Sequence, residues 1–246
     1  MEAIKIMSTL LMRLAGPMQS WGTQSRFSIR DTGQEPSKSG VIGLLCAALG
    51  KPRQEKLGDS FPTLSQLASL KMAVRVDQSG IVKRDFQTAG GSHLKLDKDY
   101  GVIKADAKSR GTVVSERFYL SNADFLVGLE SDNQELLERL SYALAHPYWQ
   151  LCLGRKAFVP ALPVYIADGL KNTELLETIK HYPWNSLKLY PSKKPDEKLQ
   201  LVSDITEETG NKAHEVRHDV PISFLERRFT IRYTRTEYID VPTGGD

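Results

Sequence analysis

The chain has little of what most enzyme classes require. Of its 246 residues only two are cysteine, Cys46 and Cys152. They stand far apart in apolar segments, which excludes a disulfide scaffold and Cys-rich metal sites and reads as buried thiols in a reducing cytoplasm. No apolar run approaches the ~18 residues needed to cross a bilayer. The first residues, Met1-Glu-Ala-Ile-Lys, lack the basic region and cleavage site of a secretory signal. The five histidines (His93, His146, His181, His214, His218) are scattered. His214 and His218 stand four apart beside Glu215 and Asp219, yet no third ligand is near, so no metal or other cofactor is expected. No paired carboxylates and no nucleophile–base arrangement occur. His146, after a predicted helix, reads as a dipole partner.

The charge is present but unevenly placed. The net charge is only +3, yet residues 13–53 hold six basic side chains (Arg13, Arg26, Arg30, Lys38, Lys51, Arg53) against Asp31 and Glu35. Residues 83–117 hold eight basic against five acidic groups, whereas residues 188–219 hold six against seven. A polyanion is therefore expected on the N-terminal half.

Alternation of Ile4, Ile6, Leu10, Met12 and Leu14 predicts a strand that Gly16-Pro17 ends, followed by a long polar loop over residues 17–38. Ser39 is the expected N-cap of a helix carrying Val41, Leu44, Leu45 and Ala48 and closed by Gly50. Gly40 and Gly43 predict close approach of its first turn to a sheet or a phosphate. Met72, Val74 and Val76 predict a second strand, and Ile81–Thr88 a third pairing back on it. Glycines and lysines without periodicity over residues 89–112 read as a protruding arm. Val113–Leu120 and Asp124–Glu130 predict two strands. A helix with an Asp132/Glu135 capping box follows and ends at Pro147, and then a strand over Phe158–Ile166.

The order β, α, β, β, α, β is that of a ferredoxin-like, RNA-recognition-type α+β domain over residues 1–166, with the arm inserted at about 86–114. Residues 167–246, with a short helix at 173–181, a charged loop at 191–219 and strands near 220–240, predict a small β-rich C-terminal domain. Phe224–Arg235 alternates apolar groups with arginines, either as an edge strand against nucleic acid or as a half-buried strand.

Three blocks supply what a phosphate-rich polymer needs: flexible backbone, a stacking ring and positive charge. They are Arg13 with Gly16-Pro17-Met18-Gln19-Ser20-Trp21-Gly22, then Ser39-Gly40, and Gly154-Arg155-Lys156. Trp21 reads either as a base contact or as packing against its own domain.

Leu11-Met-Arg-Leu-Ala-Gly-Pro-Met-Gln-Ser-Trp-Gly22, the Ser39-Gly-Val-Ile-Gly-Leu-Leu helix and Leu153-Gly-Arg-Lys-Ala-Phe158 resemble the CasD family, the "Cas five" subunits of type I-E CRISPR Cascade complexes. The blocks occur in the family's order and spacing across most of residues 4–166. The resemblance implies a RAMP-type fold whose arm is a thumb hairpin, and a non-catalytic subunit that caps the 5′ handle of CRISPR RNA. It implies a thumb packed on the CasC backbone subunit, CasA docked alongside, and target DNA met only through the complex. The RNA-lining residues it implies are Arg13, Gly16, Pro17, Met18, Gln19, Ser20, Trp21, Gly22, Arg26, Lys38, Ser39, Gly40, Lys104, Lys108, Arg110, Gly154, Arg155 and Lys156. A related branch cleaves precursor RNA without metal, which leaves a metal-independent endoribonuclease as the alternative.

Overall fold

A computed structural model describes residues 7–24, 28–56, 58–90, 101–107, 110–184, 198–205 and 214–242. The elements in chain order are β1 (Ser8–Gln19), β2 (Ile29–Arg30), α1 (Lys38–Leu49), α2 (Leu64–Ala68), β3 (Lys71–Gln78), β4 (Ile81–Ala89), β5 (Val102–Ile103), β6 (Arg110–Gly111), β7 (Val113–Ser131), α3 (Gln134–Ala145), β8 (Tyr165–Lys171), α4 (Leu175–His181), β9 (Lys198–Ile205), β10 (Glu215–Ser223) and β11 (Arg228–Asp240). This is an α+β fold around one large, mainly antiparallel sheet of order β10-β11-β9-β3-β7-β1-β8, with β2 and β4 added to β7.

Strand alternation sorts two cores onto the two faces. Leu10, Met12 and Leu14 of β1 join Val74, Phe125, Val127 and the apolar sides of α1 and α3. Leu11 joins Ala73, Leu126 and Leu201 under Leu175 and Ile179 of α4. The second face also holds buried charge. Arg75, with no exposed surface, is bound by Asp77 and by the carbonyls of Ile179 and Tyr182 at the end of α4. The Ile179 carbonyl lies in the last turn of the helix, where backbone acceptors lack an internal partner.

Several expectations are corrected. Strand β1 runs through Gly16-Pro17 to Gln19, with Gly16 paired to Ala123 and Met18 to Ser121. Pro17 falls opposite Asn122, whose φ of 59° distorts β7, so the missing N–H coincides with a break in the ladder. That same distortion sits inside the two strands expected over residues 113–130, which are one 19-residue strand, β7. Residues 81–89 pair with β7 and not with β3, because β7 is long enough to hold β3 along residues 124–130 and β4 along residues 113–121. Strand β4 is mostly solvent-exposed, its partner stretch of β7 mostly half-buried, and the described residues beyond this hairpin include the small β5–β6 pair.

The α1 N-cap is Ser37, two residues before the expected Ser39, and its side chain accepts from the Gly40 N–H. The second large helix is capped by Asn133, one residue after the expected Asp132. The strand expected over residues 158–166 forms instead at 165–171, so the expected domain boundary near 166 lies within β8. The stretch read as a charged loop at 191–219 contains β9 and the start of β10. Strand β9 pairs with β3, which makes the C-terminal strands an extension of the same sheet. Strand β11 lies between β10 and β9, so its alternating arginines belong to an interior strand. No helix among the described residues is long and apolar enough to cross a membrane.

Candidate nucleic-acid interface

The three sequence blocks meet in space. Gln19, buried at the end of β1, donates through Nε2 to the carbonyls of Leu14 and Ala123, 3.0 and 2.7 Å away. Its Oε1 accepts from Trp21 Nε1 at 3.1 Å. This fixes the indole inward: Trp21 is 2% exposed and part of the core. Between its two sequence readings the structure selects packing. The ring lies on the first turn of α1, where a Cβ at Gly40 would come 2.8 Å from Trp21 Cε3. Gly40 therefore serves a tryptophan.

The next residue back joins the third block. Ser20 donates its N–H to the Leu153 carbonyl at 3.1 Å. Gly154 adopts φ +90°, and a Cβ there would lie 1.8 Å from the Ser20 carbonyl oxygen. Only glycine permits both this backbone angle and this approach. The turn is closed by Leu153 N–H to Phe158 O at 2.7 Å and Phe158 N–H to Arg155 O at 2.9 Å.

Arg155 leaves that turn half-buried, with its guanidinium 5.4 Å from the centre of the Phe158 ring. Burial lowers its pKa, and the nearby Arg117 and Arg30 add to the effect against Asp85 and Asp31. Arg30 and Arg117 sit side by side in the β2–β7 pairing, which with Arg155 gathers three cations at the base of the arm beside Asp31 and Asp85. Lys156 and Arg30 are exposed and Arg117 half-buried. Such a cluster favours a bound polyanion. The sequence pattern did not single out Arg117. Its only signal was an arginine in a strand, and the β2 pairing that sets Arg30 beside it is tertiary.

Other expected RNA-lining residues have different surroundings. Arg13 points to the opposite face of β1, 9% exposed, and donates to both Asp124 oxygens at 3.0 and 2.7 Å. Lys38 is buried, its Nζ 2.9 Å from Asp204 and its N–H 2.7 Å from Asp219. Asp219 is in turn held by Arg232, which also reaches Asp204. At the α1 N-terminus a protein carboxylate thus accepts the hydrogen bond for which a phosphate was one expectation. Ser39 and Gly40 are half-buried beside it, with Ser39 Oγ 3.4 Å from Ser37 Oγ. Gly16 packs against Leu153 and Gly22 against the Asp31 backbone. Pro17 is exposed and Met18 half-buried. Lys104 and Arg110 are exposed on the arm, Arg110 donating to the Gly101 carbonyl. Arg26, Lys108 and His93 lie outside the described residues.

No group of three or more His, Cys, Asp or Glu suited to a metal occurs among the described residues. His214 packs edge-on against Tyr233 at 5.1 Å, and His218 is exposed in β10. Cys46 is buried and its thiol pKa is pushed up to about 11. Half-buried Cys152 is shifted the same way by burial. Native protein treated with a maleimide at pH 8 should leave Cys46 unmodified while Cys152 reacts slowly. Mass spectrometry that finds Cys46 labelled first would contradict this.

The family model described as "CRISPR-associated protein (Cas_Cas5)" matches residues 9–235. The CRISPR system Cascade subunit CasD of Escherichia coli (strain K12) is 33% identical over 169 residues, spanning 65% of this chain and 70% of that protein. A solved chain described as "Crystal structure of Cas protein" is 39% identical with a TM-score of 0.70, over 96% of this chain and 98% of that one. A chain from a "CRISPR RNA-guided surveillance complex" is 34% identical with a TM-score of 0.70, over 95% and 91%.

Proposed function

This chain belongs to the Cas5 family of CRISPR-associated proteins, and we propose that it is a non-catalytic RNA-binding subunit of a Cascade surveillance complex that seats the 5′ handle of the CRISPR RNA. The observation that carries this reading is the convergence of the Ser20–Gly22 loop and the Gly154-Arg155-Lys156 turn with Arg30 and Arg117 at the base of the arm. The strand order β3-β7-β1-β8, with α1 and α3 on one face, supports a ferredoxin-like core of the kind that displays RNA. The exposed β4–β7 hairpin is the thumb in this reading and packs on a CasC-type backbone subunit, while a CasA-type large subunit docks alongside. Target DNA is met only through the assembled complex.

The phosphates contact the exposed cations, Lys156 and Arg30 first. Arg13 and Lys38 support the seat from within, through their carboxylate partners. Among the described residues, His146 and His181 each lie within hydrogen-bonding distance of a helix carbonyl and His214 packs on a tyrosine, an arrangement that does not favour cleavage of repeat RNA by these three.

Filter binding of a labelled handle RNA across a salt series, in EDTA, tests the proposal. Wild-type protein binds and leaves the RNA intact. Lys156→Ala with Arg30→Ala weakens binding and reduces the slope of log K against log salt by about 1.4, at roughly 0.7 per lost phosphate contact on a single strand. An unchanged slope removes these residues from the seat, and specific cleavage overturns the non-catalytic reading.

A further inference from the structure

Arg155 has a second use that its place in a Gly-Arg-Lys turn does not suggest. On one side of β7, strand β4 pairs without interruption from Val113 to Ser121. On the other side the partners change. Strand β2 covers only Glu116 and Arg117, and β1 takes over at Leu120. Among the described residues, therefore, no strand lies beside Phe118 and Tyr119 on that side, at the point where β7 passes from the core sheet into the arm.

Two side chains from the seat occupy this gap. Arg155 Nη2 donates to the Phe118 carbonyl at 2.8 Å and, more weakly, to the Arg30 carbonyl at 3.4 Å. Ser20 Oγ stands 3.4 Å from the same Phe118 oxygen. Both bonds come from Nη2, whose two N–H groups lie in the guanidinium plane, so this one nitrogen can replace the missing strand N–H and tie the end of β2 to β7. The contact with the Phe158 ring and the tight turn from Leu153 to Phe158 fix where the guanidinium points.

We propose that Arg155 is a positioning residue: it latches the base of the arm to the RNA seat by filling the β1–β2 gap on β7, and so sets the angle at which the arm stands over bound RNA. This rests on the reading of the seat as an RNA site and assigns Arg155 a task distinct from phosphate contact. A latch of this kind orders the arm before RNA arrives, so less conformational freedom is lost on binding.

Hydrogen–deuterium exchange of the free protein, followed by the salt series with the handle RNA, tests the latch. In Arg155→Ala the amides of residues 81–89 and 113–121 exchange at least tenfold faster, while those of residues 124–131 keep wild-type rates. Lys156→Ala, a neighbouring loss of the same charge, leaves the arm at wild-type rates. Arg155→Lys still loses the arm's protection, because the shorter lysine has no planar group to lie on the Phe158 ring and does not hold both carbonyls. Wild-type exchange in Arg155→Ala overturns the latch. So does full rescue of arm protection by lysine, which would make charge alone responsible. A wild-type protein that binds no RNA refutes the RNA seat, but leaves the exchange comparison able to decide the latch.

Discussion

Gly154→Ala is expected to destabilise the protein by about 3 kcal/mol or more, the largest effect of any single methyl addition in the seat. Two costs combine. The residue holds φ +90°, outside the region open to L side chains at little strain. The added Cβ would also sit 1.8 Å from the Ser20 carbonyl oxygen, and that oxygen belongs to backbone. Ser20 cannot retreat without breaking its N–H bond to Leu153 and moving Trp21 out of the core. For a chain of this length the loss corresponds to a melting temperature lower by roughly 10 °C. RNA binding should fall with it, because Lys156 and Arg155 leave the same turn. Calorimetry showing a shift below about 2 °C would mean that the turn relaxes freely.

Asp219→Ala is the second large effect, about 3–5 kcal/mol, because it removes one partner from a buried ionic cluster and leaves the others in place. Arg232 loses two hydrogen bonds, at 2.7 and 2.9 Å, and the Lys38 N–H loses its acceptor. Burial alone would raise the Asp219 pKa. Its hydrogen bonds and charge contact with Arg232, with help from the Lys38 N–H and Arg217, outweigh burial and hold it below the usual carboxylate range. The folded carboxyl therefore titrates below the unfolded one. Its stabilisation is complete above about pH 4, the ordinary aspartate value, and is lost as the pH falls further. Urea midpoints across pH 3–7 should show a steeper acid limb in wild type than in Asp219→Asn. Parallel acid limbs would show that Asp219 does not carry the linkage.

Much of the site was legible as composition and local pattern. The Gly-Pro, Ser-Gly and Gly-Arg-Lys blocks stood out because each breaks the periodicity around it, and the Gly50 C-cap followed from a left-handed φ of 71° that glycine adopts freely. Residues 89–112 read as an arm from their lack of core-forming residues. The roles inside the blocks were not legible. Arg13, Lys38 and Lys156 look alike as basic residues beside turns, yet two are buried against aspartates from distant strands and one is exposed. Asp124 lies 111 residues from Arg13, and Asp204 and Asp219 lie 166 and 181 residues from Lys38, beyond the reach of any local rule.

By itself the sequence determined an α+β protein, a helix closed by glycine, and a set of blocks that mark the Cas5 family. Those features depend on side-chain period and backbone freedom, which neighbouring residues fix. Only the tertiary structure decided which cations face solvent, that Trp21 and Gly40 pack against each other, and that Arg155 fills a gap on β7. The physical reason is that a charge or a ring takes its role from the partner opposite it. Those partners are brought together by sheet pairing and helix packing, across 37 residues for Arg155 and Phe118 and across 181 for Lys38 and Asp219.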